Sequence, residues 1–149
     1  MTRYAILISV LTLAAIGGCS QSPAFEKTLE IRPIVACDDA GENPAACRLE
    51  TKAIKAMYAT AGIDVVFRPA KQYHDTKTRD GLANLDTLSA QAKAADMLDS
   101  DCINLIFMTA YKGKRGAFGF ARMGGNITFI SMSPDASKPA RDAFVVAHE

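Results

Sequence analysis

The chain is short of charge of one sign. Across 149 residues, 17 Lys and Arg face 16 Asp and Glu, a formal net charge of +1, and no basic run stands out. That balance excludes the electrostatic footprint of a nucleic-acid binder. Cysteines number four and none is spaced C-x-x-C, which argues against a zinc site built from them. No internal repeat or low-complexity tract interrupts a composition that is 49% hydrophobic and 22% charged. Long apolar runs are missing too: the one near the start, residues 5–16, is too short to serve comfortably as a permanent membrane span. A single domain with one hydrophobic core fits the length.

What is present begins with that short run. Arg3, the apolar stretch and "AIGGC" have the layout of a secretory signal over residues 1–18. The ending resembles the lipobox of bacterial lipoproteins, in which small residues flank a cysteine that is lipidated on sulfur. Cys19 would supply the thiol, and Gly17 and Gly18 the slim neighbours. The plainer alternative is a signal peptide with an incidental cysteine. The resemblance implies a lipid anchor that holds the domain to a membrane without spanning it, and Ser20 after Cys19 implies the outer membrane of the cell envelope. Removal of the signal takes Arg3 away and leaves 16 charges of each sign. Residues 19–27 read as a lipidated tether. In an exported chain, Cys37 and Cys47 around the turn-rich "DDAGENPAA" suggest a disulfide, with about 2–3 kcal/mol of chain-entropy stabilisation. Cys102, opening an apolar stretch, reads as a buried free thiol.

Periodicity organises the remainder, 28–149, as one α/β unit. "TLEIRPIVAC" reads as a strand, and apolar residues at three-four spacing predict a helix over 46–61, stopped by Gly62. "IDVVFRPA" follows as a second strand, so strand, helix, strand predicts a parallel pair with a crossover. "KQYHDTKTRDGLAN" reads as a surface loop that carries His74, with no spacing to suggest a metal site. A second helix is expected over 85–98, then a central buried strand in "CINLIFMTAY". After the turn "KGKRG", two short strands, "AFGFAR" and "NITFISM", flank "MGG". The last segment has helix-start signals at Asp135, Ser137 and Pro139, and its apolar residues lead to His148 and Glu149.

That order, with its Gly-containing hairpin before a helix ending in "FVVAHE", resembles the N-terminal subdomain of the metzincins, a group of zincin metallopeptidases with the motif H-E-x-x-H-x-x-G-x-x-H. The resemblance implies a mostly parallel twisted sheet with an antiparallel edge hairpin, two crossover helices and a C-terminal active-site helix. It implies one catalytic zinc ion, with His148 as its first ligand and Glu149 as the general base. It also implies that Ala117, Phe118, Gly119, Phe120 and Ala121 form an edge strand that binds a peptide or protein substrate. Gly116 and Gly119 suit an approaching backbone, or else simply permit a bulge or tight hairpin. The second histidine of the motif would be residue 152. The expectation is therefore an incomplete peptidase domain, cut inside its active-site helix, without its lower subdomain and inactive as the 149-residue chain. The competing expectation is a non-catalytic envelope lipoprotein with an α/β binding domain.

Overall fold

The computed structural model describes residues 25–115, 118–121 and 123–132. Strand β1 (Lys27–Cys37) is followed by helix α1 (Thr51–Ala59), β2 (Ile63–Phe67), β3 (Lys71–His74), a helical turn α2 (Thr76–Arg79), α3 (Leu85–Ala94), β4 (Ile103–Met108), β5 (Phe118–Ala121) and β6 (Ile127–Ser131). The six strands form one sheet in the order β2-β1-β4-β6-β5, with β3 also on β1. All pairings are parallel except that of β5 with β6. The chain is thus a mixed α/β protein with a mostly parallel sheet and an antiparallel edge hairpin.

Strand alternation divides the core between the two faces. Ile31, Val65, Leu105, Phe107 and Ile130 pack on the face covered by α1, through its buried Ile54. Ile34, Tyr73, Ile106, Met108 and Phe129 pack on the opposite face, under Leu88 and Ala92 of α3. Strand β4 reads as a nearly continuous apolar run, and β1 becomes one beyond Arg32, because both faces are covered there, as expected for the interior of a parallel sheet. Among the described residues no helix is long and apolar enough to cross a membrane.

Two elements differ from the sequence expectation. The first helix starts at Thr51 rather than Ala46, with no side-chain cap at Glu50. The buried Ala45 donates its N–H to the Ala36 carbonyl at 2.8 Å, and Ala46 and Leu49 pack on the core from an extended lead-in. Their apolar spacing is served by burial without helix. Gly62, with φ of +71°, does terminate the unit as expected.

The expected surface loop after β2 is instead β3 and α2. Ile31 pairs with Phe67 and Ile34 with Lys71, so Arg68, Pro69 and Ala70 stand opposite only Arg32 and Pro33. One extra residue makes a bulge and reverses the alternation. Val65 and Phe67 face α1, whereas Tyr73 faces α3. Asp75 then caps α2 by accepting from the Thr78 N–H at 2.7 Å. Asn84 caps α3 in the same way, through the Thr87 N–H at 2.9 Å.

Candidate functional site

The outer strand β5 is positioned by contacts far from it in sequence. Gly81, at φ of +59°, lets the chain after α2 lie directly on the segment after β4: an added Cβ would stand 2.2 Å from the Ala110 carbonyl oxygen. Lys112 N–H donates to the Gly81 carbonyl at 2.9 Å, and Thr109 N–H to the Arg79 carbonyl at 2.6 Å. Ser131 Oγ on β6 donates to the Thr109 carbonyl at 3.2 Å. Lys112 and Gly113, at φ of +49° and +73°, then form the tight turn that pairs Tyr111 with Lys114.

These constraints present Tyr111 to β5. Its ring centroid is 4.5 Å from that of Phe120, tilted by 48°, and Phe118 lies 6.5 Å further along. Lys112 Nζ stands 5.4 Å from the centre of the Tyr111 ring. A cleft of about 350 Å³ opens between α3 and the β5–β6 hairpin, and a second of about 330 Å³ adjoins it between Phe118, Phe120, Tyr111 and the two lysines. Phe118, Gly119, Phe120 and Ala121 pair with β6 on one side, and among the described residues nothing pairs with the other. Phe118 to Ala121 of the strand named from the sequence are therefore antiparallel to β6 and, among the described strands, outermost.

A second polar constellation closes the opposite end of the sheet. Asp99, 17% exposed, receives Lys71 Nζ at 2.6 Å on one oxygen, and Arg32 Nε at 2.8 Å and Arg68 at 3.3 Å on the other. Those cations, Lys71 first and then Arg32, hold its carboxyl down at about 2. Arg68 also makes a two-pronged contact with Asp101, at 2.9 and 2.7 Å, and pairs with Glu30. The fully buried Asn104 fixes the turn: its amide oxygen accepts from Asp99 N–H at 2.9 Å and its amide nitrogen donates to the Asp99 carbonyl at 2.7 Å. Asn126 donates to that carbonyl as well, at 3.0 Å.

Ligand atoms of Asp99, Asp101 and Cys102 lie within 4.8 Å of one another. They do not fit a zinc ion. Both oxygens of Asp99 and both of Asp101 already accept from side-chain cations, and burial pushes the Cys102 thiol up, away from the thiolate that a metal requires. The cluster is an ion-pair network with its positive charge supplied by Arg32, Arg68 and Lys71.

His148, Glu149, Cys19 and Ala117 lie outside the described residues. Cys37, Cys47 and Cys102 are free thiols in the structure. Of the pair expected to bond, Cys37 is the buried last residue of β1 and Cys47 is exposed on the approach to α1. Phe118 and Phe120 were named from the sequence as part of a substrate-binding strand, but neither their ledge with Tyr111 nor the ion-pair network was read as a site. The first had a signal in "FGF", where alternation places both phenylalanines on one face. The second had a weaker one, in "FRPAK" and "LDSDC", charged residues at strand ends. Comparisons of this chain with protein families, curated proteins and solved structures find no match.

Proposed function

We propose that this protein is a lipid-anchored envelope peptidase that hydrolyses peptides bound along β5, with zinc held through His148. The observation that supports the reading best is the place of β5: it is the antiparallel strand on the rim of an otherwise parallel sheet, and it lies upstream of the segment that carries His148 and Glu149. An extended peptide can complete the unpaired row of backbone groups on such a strand. A zinc ion would lower the pKa of its bound water to about 7. Glu149 would take the proton from that attacking water on its carboxylate and pass it to the leaving amine.

The reading requires a histidine three residues beyond Glu149 in the encoded protein, because positions four apart share one face of a helix. Sequencing the coding DNA past Glu149 checks this first, and a stop codon directly after it in an intact locus overturns the proposal. If the histidine is encoded, Glu149→Ala in the protein made with all its downstream codons abolishes peptide hydrolysis while zinc stays bound, measured by metal analysis of the purified variant. The second reading, a non-catalytic envelope lipoprotein, draws on the saturation of the Asp99, Asp101 and Cys102 cluster by side-chain cations. It retains peptide binding at β5 and predicts no hydrolysis at all.

A further inference from the structure

We propose that β5 selects peptides carrying a bulky apolar residue and, two positions away, an acidic one. The inference rests on the reading of β5 as a peptide-binding edge and adds the side-chain chemistry of what it takes. A strand added to β5 would lie about 4.8 Å from it and would send every second side chain, roughly 6.8 Å apart, to the face that bears Phe118 and Phe120. Two clefts open on that face, one after the other along β5, and share Tyr111 and Phe120 as their common wall. Two side chains of an added strand, at positions i and i+2, therefore have one receptacle each.

The two receptacles differ in chemistry. The first has Leu85, Phe120, Ile127 and Phe129 as its apolar walls and Asp86 and Asn126 among its lining, with room for a large apolar group set against those walls. The second has an aromatic floor of Tyr111, Phe118 and Phe120, and Lys112 and Lys114 on its rim. Neither lysine has an acidic partner among the described residues, and Lys112 is instead drawn over the Tyr111 ring. An acidic side chain there would lay its stem on the rings and set its carboxylate between two ammonium groups, an arrangement complementary in both shape and charge. A lysine or arginine at the same position would meet like charge.

The test uses the full chain, with EDTA present so that binding is read without turnover. Fluorescein-labelled decapeptides containing Phe-Thr-Glu, Phe-Thr-Lys or Ala-Thr-Glu are titrated by fluorescence anisotropy. The Glu peptide is expected to bind about tenfold more tightly than the Lys peptide at low salt. The alanine peptide is expected to bind at least about tenfold more weakly than its Phe counterpart. The double variant Lys112→Glu, Lys114→Glu changes exposed residues only and should reverse the preference between Glu and Lys. Equal affinity for those two peptides, or a preference that the double variant leaves unaltered, overturns the selectivity while edge binding stands. Absence of binding by any of the peptides overturns both the selectivity and the edge reading. N-methylation of alternate peptide nitrogens should abolish binding, and retained binding would mean that the clefts are filled without strand addition.

Discussion

The sheet has two outer edges, and they are built in opposite ways. On the β2–β3 side the edge is broken by a bulge at Arg68, Pro69 and Ala70, and its charged side chains are drawn into the Asp99 network. A proline, a bulge and inward-held charges all discourage another strand from pairing. On the β5 side the edge is short, uncharged and contains Gly119, and a ledge of exposed and half-buried aromatic rings lies beside it. Phe118 is 46% exposed. Among the described residues, one edge resists further pairing and the other is left without a partner strand.

Experiments that break this contrast should differ widely in effect. The largest stability loss is expected from Gly81→Ala, which sets a Cβ against the Ala110 carbonyl at a backbone angle that disfavours side chains. A loss of about 3–5 kcal/mol should appear as a lower urea midpoint, because the support under Tyr111 must shift. The open edge would be lost with it.

Next is Asp99→Asn, which strips the closed edge of its central anion and leaves Arg32 and Lys71 without their shared partner. A loss of about 1–3 kcal/mol at pH 7 is expected by chemical denaturation. Its pH dependence has a definite sign. The folded Asp99 titrates near 2, below the ordinary value of about 3.9 for an unfolded aspartate. Its contribution is therefore fully present above about pH 4 and is lost as the pH falls through 2. The variant should show a flatter acid limb. Some slope remains, because Asp38 is lowered by its hydrogen bond from Asn43, Asp80 by Arg79 and Asp101 by Arg68. An unchanged acid limb would show that Asp99 is not the group that this network protects.

The smallest stability effect is expected from Phe118→Ala, within about 0.5–1 kcal/mol, since the ring is half exposed. The same variant should nevertheless weaken peptide binding several-fold in the anisotropy assay. A large stability loss with unchanged binding would make Phe118 a packing residue and leave the open edge without its ledge.

Much of the sheet could be read from single-residue patterns. Strand β1, the apolar run of β4, the strand–helix–strand order through Gly62 and the short strands around "MGG" all appear where the pattern places them. The helix boundary at Thr51 could not be read, since Ala46 and Leu49 satisfy helical spacing and a buried extended lead-in equally well. The segment 71–79 was missed because its polar letters look solvated. Tyr73 is buried there among neighbours from β1 and α3, and Thr78 is buried on α2, which packs on β1 and β4. Of the candidate site, Phe118, Gly119, Phe120 and Ala121 were recognisable as a strand. Their partner Tyr111 was not recognised as part of a ledge.

By itself the sequence determined the alternation, the glycine stops and the charge balance, which are local properties carried by neighbouring residues along the chain. Tertiary structure alone decided where the pairings occur. The one-residue bulge that turns Tyr73 to the α3 face depends on how β1 is shared between β2 and β3. The docking of Gly81 on Ala110, which sets the aromatic ledge, joins segments about thirty residues apart. The gathering of Arg32, Lys71 and Asp99 spans separations of 67 residues for Arg32 and 28 for Lys71. Contacts of that kind leave no period in the sequence, because they come from the meeting of separate elements and not from the repeat of any one of them.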